Sequence, residues 1–397
     1  MKNVLFILDY YLPNASANGV CVEKVAKKLI ENDNKVSLLV FGKDEHNTYM
    51  NNDADIYYCC QDGCDIQKVV PLHYYMKWIL PSYYPVTERK TVTKSIICAA
   101  ERIIQEKSID TVICVHLPIE SLIAGTVLKK KYPNLKIVAY MLDSLSGGFL
   151  PRHLPEWYSR KRKIKWESRL LKHFDKIILM SSSKAHHEKN CKKYSWYKNV
   201  KYLDIPLFVP EKMLDKSEKN SIVYVGTMAD GVRTPYYFSK VINQIDIHIK
   251  LSFAGKNFCC TLKQVFTSPY IDLIEYGVIS HEAAIDLIKS GEVLLNLGNT
   301  NPNLVPSKIF EYMSMGKPII STYCSDEDTS LVYLKNYPNV LLIDERNEDY
   351  FAVAEELKKF LLNCNLVKID TDELEKIFFN NMPESVVQYL SKEFSVL

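Results

Sequence analysis

The chain has 397 residues, of which 47% are hydrophobic and 24% charged, the balance of an ordinary globular protein rather than a disordered or fibrous one. That length exceeds what one ordinary core serves, so two domains are expected. Apolar runs such as residues 109–115, interrupted by Asp110, and 293–297, interrupted by Asn296, fall well short of the roughly 18 to 20 residues a membrane-crossing helix needs.

The net charge of +3 conceals an asymmetry: residues 1–212 carry +11 and the remainder −8. A basic first half points to a negatively charged partner or surface for that half. The opening MKNVLFILDYYLP has too short an apolar core for a signal peptide and no small-residue cleavage site, so it reads as a buried first strand. The eleven cysteines contain no C-x-x-C pair, and CCQDGC at 59–64 lacks histidines at zinc-finger spacing. Reduced thiols in a cytoplasmic protein are expected.

In chain order, VLFILDY is a short apolar run and GVCVEKVAKKLIEN places Val22, Val25, Ala26 and Leu29 at helical spacing. KVSLLVF then reads as a strand. TVTKSIICAAERIIQEK, ESLIAGTVLKKK and EWYSRKRKIKWESRLLKHF read as helices, alternating with the strands TVICV, KIVAY and KIILM. Short buried strands alternating with helices predict a parallel, doubly wound sheet, which binds ligands beyond the C-terminal ends of its strands. The rhythm lapses near residues 204–220 and resumes with SIVYV, IKLSFAG, YIDLIEYG, HEAAIDLIKS, EVLLNLG, PSKIFEYMSM and KPIIST. Two Rossmann-like α/β domains are therefore expected, over 1–205 and 206–379. An amphipathic helix within 380–397 is assigned to the first, and a ligand cleft is expected between the two.

The richest stretch is NLVPSKIFEYMSMGKPII at 303–320, a loop, a helix from near Pro306, and a strand. Proline suits a helix's first turn, and N–H groups at that end suit a diphosphate. Lys308 adds a positive charge in the same turn. Glu311, three residues on, is a carboxylate able to accept two hydrogen bonds from a ribose diol. The same two residues also make an ordinary helical ion pair. Gly316 and Pro318 end the helix.

This stretch resembles the donor-binding signature of retaining GT-B glycosyltransferases of the family 4 type, particularly those of bacterial surface polysaccharides. GVISHEAAIDLI at 277–288, with Val278, is similar to the element that contacts the nucleotide base, and VYVG ending at Gly226 to the opening strand of the donor domain. Arg233 stands where the family places a phosphate-binding basic residue. Pro13 and Gly19 match the loop after the first strand, His116 the acceptor-side histidine, and Glu167, Asp175 and Ser181 a looser pattern. The resemblance implies a GT-B fold with sheets facing across a cleft. It also implies a sugar moved with retention from a nucleotide-sugar donor, a UDP-sugar foremost, to a glycan or lipid-linked acceptor. Donor contacts fall on Gly19, Gly226, Arg233, Val278, Leu304, Val305, Ser307, Lys308 and Glu311. Two departures are plain: Asn303 stands where the family has its first glutamate, and Thr227 where it has an arginine. They leave room for an inverting transferase, an epimerase on the same scaffold, or a partner protein without activity.

His116, Asn303 and Asp143 are the candidate catalytic residues. His116 and Asp143 follow strand ends and suit acceptor contact or proton transfer; a core histidine and a loop-capping aspartate are the plainer alternatives. Asp53-Ala-Asp55 and Asp326-Glu-Asp328 read as solvated surface, so no metal and no other cofactor is expected. The leaving diphosphate would be neutralised by Arg233, Lys308 and the helix end. Trp157, Arg160, Lys161, Arg162, Lys163 and Trp166 form a basic, aromatic stretch suited to an anionic membrane face or a lipid-linked acceptor. Nucleic acid is disfavoured because no recognised module accompanies the charge.

Overall fold

The computed structural model describes residues 1–11, 17–41, 54–59, 90–148, 150, 154–210, 217–302, 305–367 and 369–395. Within them the chain divides into two compact units, Met1–Pro206 with Asn380–Leu397, and Leu207–Phe379.

The first unit is built on seven strands: β1 (Asn3–Leu8), β2 (Lys35–Val40), β3 (Asp55–Tyr58), β4 (Thr111–His116), β5 (Lys136–Met141), β6 (Lys176–Met180) and β7 (Val200–Leu203). All pair in parallel, in the order β3-β2-β1-β4-β5-β6-β7. Strand period explains why both faces must be covered. Leu5 and Ile7 of β1 enter one core with Ile96 and Leu122, while Val4, Phe6 and Leu8 enter the other with Val22, Val25 and Leu29. The helices are α1 (Ala17–Glu31), α2 (Lys90–Glu106), α3 (Ile119–Lys131), α4 (Glu156–Leu171) and α5 (Lys184–Cys191).

The second unit has six parallel strands: β8 (Glu218–Val225), β9 (Ile249–Ala254), β10 (Ile271–Gly277), β11 (Gly291–Asn296), β12 (Ile319–Tyr323) and β13 (Val340–Asp344). Their order is β10-β9-β8-β11-β12-β13. Its helices are α6 (Tyr236–Ile242), α7 (Leu262–Val265), α8 (His281–Ser290), α9 (Lys308–Ser314), α10 (Leu331–Leu334), α11 (Tyr350–Asn363) and α12 (Thr371–Ile377). A last helix, α13 (Pro383–Ser395), returns to the first unit. Its Val386, Val387 and Leu390 join the core beneath α1, with Lys28 paired to Glu384 at 2.9 Å. At its far end Glu393 pairs with Lys176 at 2.8 Å.

Both sheets reverse strand order once, between β1 and β4 and between β8 and β11. Crevices open at such points, at the C-terminal edge, and there a doubly wound sheet holds its ligands. No helix among the described residues is long and apolar enough to cross a membrane.

Candidate functional site

In the second unit, the switch point brings the loop after β8 beside the loop after β11. Gly226 follows β8 directly, and the chain turns at residues 229–233, where Ala229 and Arg233 exchange backbone hydrogen bonds of 2.9 Å. Arg233 then donates from Nε at 3.1 Å and Nη2 at 2.8 Å to Oδ1 of Asn299. Thr300 ties the loops further, its N–H to Val232 O at 2.8 Å and its hydroxyl to Gly231 O at 2.7 Å. Gly226 has a local reason: a Cβ there would meet the Tyr224 hydroxyl at 2.8 Å and Arg233 Nη1 at 3.5 Å.

Helix α9 leaves the same edge. It starts at Lys308 rather than near Pro306, although Ile309 N–H already bonds Pro306 O at 3.2 Å, so Pro306 and Ser307 form its first turn. Tyr312 is buried, and its hydroxyl accepts from Val225 N at 3.1 Å, fixing the helix across the end of β8. Gly316 ends the helix at φ 64°, where a residue without Cβ is favoured. Lys308 Nζ and Glu311 Oε2 lie 2.6 Å apart, with side chains only 24% and 11% exposed. The two charges predicted to meet phosphate and ribose thus meet each other, at the edge where Arg233 lies. Val305 and Ser307 precede them on the chain. Asn303 and Leu304 lie outside the described residues.

Beside this corner a cavity of 460 Å³ opens at the ends of β9 and β10. Met228, Phe253, Leu262 and Phe258 make its wall largely apolar, with Lys256, Asn257 and Glu275 the polar groups. Val278 stands on it with 69% of its surface exposed, as does Phe258 at 68%. Gly255 permits the wall: its φ is +126°, and a Cβ would come within 2.0 Å of Gly226 O. Phe258 and Gly255 carry no motif, so sequence reasoning passed over them.

Asp328 departs from the reading of its acidic loop as solvated. It is buried, its Oδ1 accepting from Ser330 N at 2.8 Å and Ser330 Oγ at 2.6 Å. Desolvation raises its carboxyl above the usual range, against the Ser330 bonds and the charge of Arg233. Its neighbour Asp326 does lie at the surface, paired with Arg346 at 2.7 Å. The other acidic string is similar in part: Asp55 pairs with Lys107 at 2.8 Å, and Asp53 lies outside the described residues.

In the first unit His116 ends β4 in register with Met141, the last residue of β5, and Asp143 lies two residues beyond. His116 is fully buried, and neither ring nitrogen has a hydrogen-bond partner among the described residues. Burial pushes its pKa down to about 4, Glu167 and the Pro118 backbone opposing with smaller effects. Burial thus favours the neutral imidazole near pH 7, which suits orienting a hydroxyl better than accepting a proton. An imidazole left unsatisfied at a ligand-binding edge costs free energy unless a ligand supplies partners. The Asp143 side chain is accessible at its surface, yet surrounding protein displaces enough water to raise its carboxyl above the usual range. Gly19 lies in the first turn of α1 rather than in the loop before it, and Pro13 is outside the described residues. Asp175 accepts from Ile137 N and Lys129 Nζ, both at 2.8 Å, near the start of β5 and thus at the opposite edge from the site.

The basic, aromatic stretch on α4 does not form one face. Trp157 is 71% exposed, but Arg162 and Trp166 are buried, with the guanidinium 5.5 Å from the indole ring. Helical period turns these two inward while Trp157 and Lys161 stay outside. Arg160 donates to Ser146 O at 2.6 Å and so braces the loop after Asp143, and Lys163 is half-buried. The cationic surface instead lies between α4 and α5, where Trp157, Arg160, Lys161, Lys189, Lys192 and Lys193 line a hollow of 560 Å³.

No family model matches the chain, and no curated protein matches it in sequence. Solved structures do. The chain is similar to TarM, with a TM-score of 0.64 at 9% identity over 99% of this chain and 98% of that one. It is also similar to WaaG, a glycosyltransferase involved in lipopolysaccharide biosynthesis, with TM-score 0.59, 12% identity, and 97% and 99% of the two chains covered. A third is MnaA of S. aureus, solved with UDP, with TM-score 0.53 and 14% identity over 100% and 98%. At these identities the likeness establishes the architecture: two Rossmann-like domains of the GT-B fold. Fold alone does not carry function; the N-terminal domain of a Candida albicans trehalose-6-phosphate phosphatase shares this one at TM-score 0.59.

Proposed function

We propose that this protein is a glycosyltransferase that takes a sugar from a nucleotide-sugar donor, a UDP-sugar by preference, held by its second unit. The observation that carries this reading is the convergence of Arg233, Lys308 and Glu311 at the β8/β11 switch point beside an apolar cavity. A nucleoside diphosphate needs those parts: cations for the phosphates, a carboxylate for the ribose diol, and a mainly apolar pocket for the base. MnaA and several other solved structures similar in fold contain UDP, which agrees with that assignment.

Arg233 and Lys308 stabilise the diphosphate as it departs, so the transfer needs no metal ion. The reaction breaks the bond from the sugar's anomeric carbon to the phosphate oxygen and forms one to the acceptor oxygen on the same face. The acceptor's proton passes to the leaving phosphate oxygen, which frees the protein from supplying a strong base. The neutral imidazole of His116 suits this route, since it can orient a hydroxyl without carrying charge. The acceptor is a glycan or lipid-linked molecule of surface-polysaccharide synthesis. The cationic hollow between α4 and α5 favours an anionic acceptor or membrane face.

The test is thermal stabilisation by UDP, GDP, ADP, CMP and their common sugar forms. Ligand at a hundred times its dissociation constant adds about 2.7 kcal/mol of stability, so a selective shift with one nucleoside diphosphate is expected. Absence of any shift would leave the partner protein without activity, motivated by Asn303 and Thr227, as the better reading.

A further inference from the structure

Behind the loop that follows Asp143, α4 and α5 bury a group of side chains that the transfer chemistry leaves unused. His187 and Cys191 are four residues apart on α5 and so share a face. Glu167 of α4 meets them, and all three are fully buried. One ligand atom from each, a carboxylate oxygen, a ring nitrogen and the thiol sulfur, all lie within 4.8 Å of one another.

We infer that Glu167, His187 and Cys191 form a structural binding site for one divalent transition-metal ion of the zinc class. A thiolate, an imidazole and a carboxylate are the donor types zinc takes, and two ligands four apart on one helix face are a familiar way of supplying them. Three protein ligands leave a fourth position for a serine hydroxyl or water.

The surroundings are those of a prepared site. Glu167 Oε1 accepts from Ser146 N at 3.2 Å and Ser144 Oγ at 3.4 Å, and Oε2 accepts from the Ser146 hydroxyl. Such outer partners fix a carboxylate ligand in place. Ser144 Oγ also lies 3.1 Å from His187 Nε2, and Ser146 Oγ lies 2.9 Å from His186 Nε2. His187 Nε2 also lies 3.4 Å from Glu167 Oε2, while Nδ1 has no hydrogen-bond partner among the described residues.

Binding forms bonds from the metal to sulfur, nitrogen and oxygen, and the thiol proton leaves to solvent; nothing is oxidised or reduced. The ion would clamp α4, α5 and the serine-glycine loop at residues 144–148 into one body. It would take no part in transfer, and the site stands whether or not the protein moves a sugar.

The test uses the full chain, dialysed against a chelator and titrated with cobalt(II). Expected are a thiolate-to-cobalt charge-transfer band in the near ultraviolet and intense visible bands, saturating at about one equivalent per chain. Cys191→Ser should abolish the charge-transfer band, and His187→Ala should weaken cobalt binding by about tenfold or more. A Cys259→Ser, Cys260→Ser double variant, altered in the other unit, should keep both. A folded wild-type chain without these bands, or bands that persist in Cys191→Ser, would overturn the inference. If Cys191→Ser does not fold, the wild type decides: its Tm should rise with zinc and fall back with chelator, and an unresponsive Tm counts against the site. Nucleotide-induced shifts are read separately, so failure here leaves the donor site untouched.

Discussion

Arg233 grips the carboxamide of Asn299 with two hydrogen bonds to one oxygen, joining the loop after β8 to the loop after β11. The pair thereby holds a permanent cation at the β8/β11 switch point. Its geometry leads to the first prediction. Arg233→Ala should weaken binding of the preferred nucleoside diphosphate by about 1.5 to 3 kcal/mol, the usual worth of hydrogen bonds to a charged group. Asn299 is itself buried, so the variant should also lose about 1 to 3 kcal/mol of stability. Arg233→Lys keeps the charge but not the fork and should fall between the two. Calorimetric titration with the diphosphate decides it, and equal affinity in all three proteins would remove Arg233 from the donor site.

Glu311 shares a 2.6 Å ion pair with Lys308, so in the proposed donor site the carboxylate is recruited by the ribose while that lysine turns to phosphate. Glu311→Ala should cost about 1 to 3 kcal/mol of donor affinity, seen with the nucleoside diphosphate and not with inorganic diphosphate. Loss of the pair alone is worth only about 0.5 kcal/mol of fold stability. A folded variant with unchanged nucleotide affinity refutes the ribose role.

His116 makes stability depend on pH. Its folded pKa of about 4 lies below the ordinary 6.5 because burial disfavours the imidazolium, the opposing pull of Glu167 being weaker and Lys163 adding to the depression. Between those values the unfolded chain binds more protons than the folded one, so stability rises with pH. The contribution is complete above about pH 6.5 and is lost as pH falls toward 4, in all about 3 kcal/mol for a shift of this size. His116→Asn should flatten the slope of unfolding free energy between those pH values in urea titrations. An unaltered slope would mean that the ring is not held neutral by burial.

The cationic hollow between α4 and α5 should matter for lipid rather than donor. Lys192→Glu with Lys193→Glu reverses two of its charges and should reduce binding to vesicles rich in phosphatidylglycerol by about 1 kcal/mol or more per lysine. Vesicles of phosphatidylcholine alone should bind neither protein. Cosedimentation that ignores the reversal would detach this surface from membranes, while nucleotide-induced stabilisation should be unchanged.

Much of this was legible from residue order. Period-two apolar runs and period-3.6 helices are local properties, so the two parallel α/β series could be read from spacing, while the roles given to Lys308 and Glu311 rest on the family resemblance. Gly316 at its positive φ was similarly readable, because a helix end imposes its conformation on one residue. The basic, aromatic stretch on α4 is legible only in part, for a physical reason. Composition reports charge along a segment, whereas the helix sorts it by angle, and the angle put Arg162 and Trp166 inside.

What only the tertiary structure decided is which distant groups meet. Arg233 and Asn299 are 66 positions apart, and Glu167 meets Ser146 from 21 positions away; no periodicity encodes either pairing. The cavity at the ends of β9 and β10 depends on Gly255 letting two strand ends approach. The neutrality of His116 and the raised carboxyl of Asp328 depend on how much water the packed chain excludes. By itself the sequence determined the kind of fold, because that follows from local pattern. Burial, pairing and protonation follow from what packing removes from water, and that is a property of the folded chain alone.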